Sequence, residues 1–135
     1  MSLTREQVLS AEDGTRERVD VPEWAPKGTD PKDSYVWVMT LACGDFDRYE
    51  QSMLFARKKS KDEIIGNIRT ALLVRCIVDD NGVPLFTLKD IEALGKKSIA
   101  PLNRCYDVAS RLNGQTKADV EELEKNSESD PSESS

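Results

Sequence analysis

The stretch that decides the fold is YVWVMTLACGDFDRYEQSMLFA at residues 35–56, because the spacing of its apolar side chains changes partway along. Residues 35–41 are rich in β-branched and aromatic side chains, which is typical of a β-strand. From Asp45 onward, apolar residues recur every three or four positions, which is the period of one face of an α-helix. The members of this face are Phe46, Tyr49, Met53 and Ala56. A strand that passes so directly into a helix predicts an α+β fold.

A second strand is predicted upstream, at residues 19–24 (VDVPEW), where Val19 and Val21 alternate with polar residues. Pro22 has no N–H to donate to a neighbouring strand, so this strand should lie at a sheet edge. Its simplest partner is the strand at 35–41, paired antiparallel. We therefore predict a small N-terminal β-hairpin that packs on the helices, since a two-stranded ribbon alone is only marginally stable in water.

The rest of the chain is predicted to be mostly helical. Thr4 and Gln7 have the spacing of a capping box and predict a short N-terminal helix that ends by Gly14. Thr87 and Asp90 give the same signal for a second short helix. The fold class is thus α+β, mostly helical, with four to five helices and the small hairpin. The helices that follow the hairpin are predicted at residues 45–57, 62–77, 88–94 and 98–112, with a last possible one at 116–125.

The negative charge of the chain is concentrated at its C-terminal end. The formal net charge is −6, and residues 117–135 contain seven acidic and two basic side chains, so that segment alone carries −5. Residues 126–135 hold no side chain suited to a core, which predicts a disordered acidic tail after a single domain at 1–125. The overall charge disfavours nucleic acid as a partner. The basic residues 57–59 are more simply explained by the negative end of the preceding helix dipole.

The composition excludes several kinds of chemistry. There is no histidine, so serine and cysteine triads and most catalytic zinc sites are absent, and no glycine-rich phosphate loop is present. Asp79 and Asp80 could form half of a metal site, but adjacent acids beside Asn81 and Gly82 are more simply turn residues. We therefore predict that the protein is not an enzyme, has no catalytic, metal or cofactor-binding residues and needs no cofactor.

The cysteine pattern and the hydropathy predict a location in a reducing cytoplasm. Cys43, Cys76 and Cys105 are widely spaced, odd in number and without a CxxC pair, so we expect free thiols, with Cys76 and Cys105 buried. No apolar run approaches the length of a transmembrane helix, which predicts no membrane association.

Several segments, in a fixed order, resemble the tail assembly chaperones of long-tailed, siphovirus-type bacteriophages. The C-terminal matches are a VDD turn followed by Leu85-Phe86, DIEALGKKS at 90–98 and RLNG at 111–114. The upstream matches are LTREQVLSAED at 3–13, VDVPEW at 19–24, VWVMTL at 36–41 and DFDRYE at 45–50. The resemblance spans residues 3–123 and depends on the number and order of the segments, since none is a catalytic motif.

The resemblance implies a non-enzymatic role in the host cytoplasm. Such chaperones bind the tape measure protein before and during polymerisation of the tail tube subunit, and they are absent from the mature virion. They are often made in two forms, the longer one by a ribosomal frameshift, and this chain resembles the shorter form. A small phage adaptor or head-completion structural protein is the alternative function.

A self-association surface is predicted on the hairpin. In the strand at 35–41, Val36 and Val38 lie on one face and Tyr35, Trp37 and Met39 on the other, yet a two-stranded element has only one core to cover. One apolar face is therefore left for a second copy of the chain or for the tape measure protein, which favours a homo-oligomer. The candidate interface residues are Trp24, Tyr35, Trp37 and Met39.

The first testable prediction concerns the acidic tail. Deleting residues 126–135 should leave the melting temperature nearly unchanged, because no apolar surface should become exposed. Differential scanning calorimetry of the full chain and of the truncated chain measures this directly. A decrease of many degrees would show that the tail docks on the folded domain.

Overall fold

The computed structural model describes residues 1–56 and 61–114, and it shows an α+β fold that is mostly helical. Five α-helices and a three-stranded antiparallel sheet lie in these ranges, and the first two strands form the predicted N-terminal hairpin. The elements, in chain order, are α1 (Arg5–Ser10), β1 (Arg16–Asp20), β2 (Tyr35–Met39), α2 (Cys43–Ala56), α3 (Lys61–Cys76), β3 (Ile77–Val78), α4 (Ile91–Leu94) and α5 (Ile99–Leu112). The predicted helix at 116–125, the tail at 126–135 and the basic residues 57–59 lie outside the described residues.

The sheet has the order β1-β2-β3, so β1 is an edge strand and β2 is central. Val19 of β1 pairs with Val36 of β2, and Trp37 of β2 pairs with Val78 of β3. The third strand was not predicted from the sequence. It is only two residues long and continues directly from α3, so it has no hydrophobic period of its own.

The predicted first strand is misplaced by a few residues. The strand is Arg16–Asp20, whereas the predicted 19–24 segment continues into a 3-10 turn at Pro22–Trp24. Proline at the first position of that turn has no N–H to lose, and the backbone N–H of Trp24 donates to the carbonyl of Val21 at 3.0 Å. The chain therefore leaves the sheet after Asp20, whereas the alternation of apolar and polar residues predicted that the strand continues to Trp24.

The helix signals are confirmed, with shifts at several ends. The Thr4 capping box begins α1, which stops at Ser10, before Gly14. The Thr87 capping box is also present, but it begins a 3-10 turn at Leu88–Asp90 that leads into α4. The N-terminus of α2 starts two residues early because the N–H groups of Asp45 and Phe46 both donate to the carbonyl of Ala42. Helix α3 stops at Cys76 because the next residue already belongs to β3.

The core lies between α3, α5 and the inner face of the sheet. Leu72, Leu73, Val38 and Ile77 are fully buried there, and Tyr49 of α2 closes one side. Asn113, just after α5, ties the layers together: its Oδ1 accepts the N–H of Leu41 at 2.7 Å and its Nδ2 donates to the carbonyl of Ala109 at 2.8 Å. The residues that follow β2 are thereby held against the end of α5.

Cys76 and Cys105 are buried in this core, as predicted, whereas Cys43 is exposed. Burial raises the pKa of Cys76 to about 12 and that of Cys105 to about 11, because a thiolate loses its hydration there. Both thiols therefore stay protonated and unreactive in the folded protein at neutral pH.

The second prediction concerns these two thiols. A thiol reagent at pH 8 should label Cys43 quickly and should label Cys76 and Cys105 only as the protein unfolds. Rapid native labelling at all three positions, measured by mass spectrometry, would contradict the packing. Cys43→Ser is the control and should abolish the fast phase alone.

The same thiols make the free energy of unfolding depend on alkaline pH. The pKa of each is raised in the folded state, so the stabilisation is complete below the ordinary pKa of 9.0 and is lost as pH rises from there towards 11 or 12. We expect the melting temperature to fall between pH 9 and pH 11, and to fall less steeply in Cys76→Ala than in Cys43→Ser.

Candidate interaction surfaces

The outer face of the sheet carries an aromatic cluster fastened to a single carboxylate. The hydroxyl of Tyr35 donates to Oδ1 of Asp80 at 2.9 Å, and the indole N–H of Trp37 donates to the same oxygen at 2.7 Å. The two rings meet edge to face with their centroids 6.1 Å apart. Asp80 stands in the turn after β3, so these hydrogen bonds hold that turn against β2.

Two arginines of β1 cover the aromatic rings. The guanidinium carbon of Arg16 lies 4.1 Å from the ring centroid of Trp37, and that of Arg18 lies 4.2 Å from the ring centroid of Tyr35. Arg18 is directly opposite Trp37 in the ladder, so each arginine lies over its diagonal neighbour on the other strand. These are cation–π contacts, and Arg16 also donates to the backbone carbonyl of Asp80 at 3.0 Å.

The electrostatics of this cluster keep the carboxylate charged and the phenol neutral. The hydrogen bonds from Trp37 and Tyr35, with the two arginines nearby, lower the pKa of Asp80. The hydrogen bond to Asp80 in turn raises the pKa of Tyr35. The polar groups of this aromatic cluster therefore find their hydrogen-bond and cation–π partners within the cluster. Its members are Tyr35, Trp37, Asp80, Arg16 and Arg18.

The neighbouring carboxylate of Asp79 shapes the turn. Its Oδ1 accepts the backbone N–H groups of Asn81 at 2.8 Å and Val83 at 3.0 Å, and Gly82 supplies the positive φ of 80° that the turn requires. Within residues 1–56 and 61–114 there is no group of three or more metal-ligating side chains placed to hold an ion. The observed contacts of Asp79 and Asp80 are thus those of a turn and of the aromatic cluster.

An apolar groove lies between the 3-10 turn at Pro22–Trp24 and α4. Its volume is about 340 Å³, and it is open to solvent. Asp90 stands at one end of the α4 segment and Lys97 at the other, and both line the groove. The apolar groove is lined by Trp24, Leu85, Phe86, Asp90, Ala93, Leu94 and Lys97.

Trp24 is held in the groove wall by its neighbour Glu23. The guanidinium of Arg104 on α5 forms a two-pronged ion pair with Glu23 and also donates to the carbonyl of Asp20 at 2.9 Å. This pairing lowers the pKa of Glu23. The opposite wall is fixed by the sheet, because the N–H of Leu85 donates to the carbonyl of Ile77 at 3.1 Å.

The four interface residues predicted from the sequence do not lie together. Trp24 packs against the core and lines the apolar groove, whereas Tyr35 and Trp37 belong to the aromatic cluster on the outer face of the sheet. Met39 is partly exposed on β2, opposite Arg16. The face that was expected to be uncovered is thus covered, at Tyr35 and Trp37, by arginine. A role of these four residues in self-association stays a prediction.

The residues that complete both surfaces were not predicted from the sequence. Arg16, Arg18 and Asp80 join the aromatic residues, and Leu85 and Phe86 join Trp24. The alternation of arginine in RER at 16–18 was the available signal, since every second residue of a strand shares one face. The groove has no such local signal, because its walls come from distant parts of the chain.

Comparison with known proteins adds no further identification, since no protein family, curated protein or solved structure matches this chain. None of the helices within the described ranges is long and apolar enough to cross a membrane. Of the two surfaces, the apolar groove leaves apolar side chains exposed to water, whereas arginines cover the rings of the aromatic cluster.

The third prediction concerns the carboxylate of Asp80. Asp80→Asn should lower the melting temperature at pH 7, because neutral hydrogen bonds to Tyr35 and Trp37 are weaker than charge-assisted ones. The pKa of Asp80 is lowered by folding, so its contribution is complete above the ordinary pKa of 3.8 and is lost at lower pH. The difference between wild type and variant should therefore shrink as pH falls from 7 to 3.

A matched control is Asp107→Asn, which removes the same charge from an exposed position on α5. It should change the melting temperature little at either pH. Equal melting temperatures for wild type and Asp80→Asn at pH 7 would show that the carboxylate does not hold the turn.

Proposed function

We propose that this protein is a non-enzymatic tail assembly chaperone of a siphovirus-type bacteriophage, which binds the tape measure protein and promotes assembly of the tail tube. The observation that carries the proposal is the order of the segments that resemble this family, from residue 3 to residue 123. The proposed setting is the host cytoplasm, with the tail tube subunit as a second partner and with the chaperone absent from the mature virion.

The structure gives the resembling segments clear physical roles. The VDD segment ends β3 and begins the turn that carries Asp80, and DIEALGKKS forms α4 and one side of the apolar groove. RLNG ends α5 and places Asn113 against the residues that follow β2. These three segments thus contribute to the sheet, to the apolar groove and to the contact between α5 and β2.

The distribution of exposed apolar side chains supports a binding function. Within the described residues, Val83, Leu85, Leu88 and Ile99 are each about half exposed or more, and all four lie in the segment that contains α4 or beside it. A monomeric soluble protein normally shields such a concentration of apolar surface unless it meets a partner. A long tape measure protein with its own apolar surface is a partner that such a surface suits.

The mechanism follows from these features. Apolar side chains of the tape measure protein contact the exposed residues around α4, which removes both surfaces from water. The net charge of −6 on the chaperone keeps the complex soluble and repels further complexes. Tail tube subunits then displace the chaperone as they polymerise around the tape measure protein, so it leaves before the virion is complete.

The fourth prediction tests this function by co-expression. A siphovirus-type tape measure protein that is co-expressed with this chain should accumulate in the soluble fraction when the chaperone is present and aggregate when it is absent. Leu88→Glu should lower the soluble yield several-fold, because it places a charge in the exposed apolar segment. Gln51→Glu adds the same charge at an exposed site on α2 and is the matched control.

The location of the protein after assembly distinguishes the alternative. Mass spectrometry of purified virions should not detect a chaperone. A stoichiometric amount in virions, together with no effect on tape measure solubility, would contradict the proposal and favour a structural adaptor or head-completion protein.

A further inference from the structure

One side of β1 is unpaired in the described part of the chain, because β1 is an edge strand of the sheet. The hydrogen bonds at its two ends show which backbone groups face β2. The N–H of Thr40 donates to the carbonyl of Thr15 at 2.9 Å, and the N–H of Val21 donates to the carbonyl of Ser34 at 2.9 Å. Both residue pairs continue the register of the β1–β2 ladder, so the odd-numbered residues from 15 to 21 turn their N–H and C=O groups towards β2.

Arg16, Arg18 and Asp20 turn their N–H and C=O groups the other way, and we call these six groups the outer edge of β1. Within residues 1–56 and 61–114, no hydrogen bond reaches the backbone groups of Arg16 or Arg18. The carbonyl of Asp20 accepts a hydrogen bond from Arg104 at 2.9 Å and retains a second lone pair. The outer edge is therefore able to pair with a further strand.

The outer edge is complementary to a second copy of itself. When two β1 strands lie antiparallel with Arg18 opposite Arg18, Arg16 of each copy is opposite Asp20 of the other. Each of the three residue pairs can then form two hydrogen bonds, which is the pattern of closely spaced pairs in an antiparallel ladder. Every backbone group of the outer edge is used on both copies.

Other registers match fewer of these groups. A shift of the second copy by two residues in one direction places Arg16 opposite Arg18, which brings like charges together, and places Asp20 opposite Gly14, which lies before the strand. A shift in the other direction places Arg16 opposite Pro22, which has no N–H and lies in the 3-10 turn. The register with Arg18 opposite Arg18 is therefore the favoured one.

The side chains of the outer edge suit the same register. Arg16 and Asp20 carry opposite charges and are opposite each other twice, once on each side of the two-fold axis. Each Arg18 side chain is directed towards β2 of its own copy. Its guanidinium carbon lies 4.2 Å from the ring centroid of Tyr35, and its Nε donates to Asp20 at 3.0 Å. The two arginines at the axis thus have their own carboxylates and rings to contact.

A second β1 strand suits this edge better than an unstructured segment of another protein. The five residues of β1 are already held in strand conformation by β2, so their pairing orders no free chain. An unstructured segment would lose backbone entropy on pairing. The second copy also supplies a carboxylate opposite each Arg16.

From these observations we propose that two copies of the chain pair antiparallel through the outer edges of their β1 strands, with Arg18 at the two-fold axis, and so form one continuous sheet. The symmetry closes the contact, so it makes a dimer and not a filament. The proposal concerns how copies associate and goes beyond the proposed chaperone function. It does not involve the surface around α4, so either proposal can fail while the other holds.

Light scattering of the full chain across a range of concentrations measures the dimer. The mass should rise from the 15.1 kDa of one chain and level off at twice that value. A mass that stays at one chain at every concentration would overturn the proposal. A mass that continues to rise beyond two chains would contradict a closed contact.

Arg18→Pro tests the backbone hydrogen bonds at the axis. Proline removes an N–H of the outer edge but none of the β1–β2 ladder, and edge strands tolerate proline in that position. The variant should remain at the mass of one chain at concentrations where wild type is a dimer. The matched control is Arg18→Thr, which removes the same side chain, retains the N–H and should dimerise. Circular dichroism checks the fold, and equal dimerisation of the two variants would show that the outer edge is not the contact.

A charge exchange tests the register. Arg16→Asp places two carboxylates opposite each other in the dimer, and Asp20→Arg places two guanidinium groups opposite each other, so each variant alone should lose dimerisation. An equal mixture restores opposite charges at both positions and should reach twice the single-chain mass. Arg5→Asp makes the same change of charge on α1 and should dimerise as wild type does. A mixture that associates no better than either variant alone would overturn the register.

Hydrogen exchange of single amides, followed by NMR, locates the contact. The amides of Arg16 and Arg18 should exchange several-fold more slowly at concentrations where the mass has doubled than at high dilution. The amides of Glu17 and Val19 face β2 in both states and are the internal control. Unchanged exchange at Arg16 and Arg18 in the associated protein would assign association to another surface and contradict the proposal.

Co-expression separates a second copy from an extended partner segment. Arg18→Pro should leave the soluble yield of a co-expressed siphovirus-type tape measure protein at the level reached with Arg18→Thr. A several-fold decrease specific to Arg18→Pro, with wild type alone remaining a single chain, would assign the outer edge to that protein and overturn the dimer.

Discussion

The uninterrupted passage of the backbone from α3 into β3 is the constraint on which the rest of the structure depends. Cys76 ends the helix and Ile77 begins the strand, and both are fully buried. Because β3 must pair with β2, the direction of α3 fixes where the sheet stands on the helical layer. The chain then turns back at Pro84 to bridge Val78, which positions one wall of the apolar groove and the turn that carries Asp80.

Exposed arginines of α5 form ion pairs that hold the edge strand β1 and the turn after it in place. Arg111 pairs with Glu17 of β1, and Arg104 pairs with Glu23 of the 3-10 turn that follows this strand, so α5 is joined both to β1 and to the turn. Exposed ion pairs of this kind contribute little to the free energy of unfolding. These ion pairs instead fix the position of β1 and of the 3-10 turn that brings Trp24 to the groove.

The aromatic cluster and the apolar groove differ in how much of their apolar surface is covered by other residues of the chain. In the aromatic cluster, Asp80 accepts two hydrogen bonds and arginines cover the rings of Tyr35 and Trp37, so the chain itself supplies the contacts. The apolar groove and α1 both expose apolar side chains to water. Within the described residues, exposed apolar surface is therefore concentrated at the groove and on α1 and not on the outer face of the sheet.

The sequence by itself determined the features that depend on near neighbours. Residues three or four positions apart share a helix face, so the apolar period predicted α2. The capping residues Thr4 and Thr87 likewise marked two helical starts. Only the tertiary structure decided where Trp24, Arg16 and β3 lie. Their partners are distant in the chain, and the register of the sheet, which brings those partners into contact, is set by packing of the whole core.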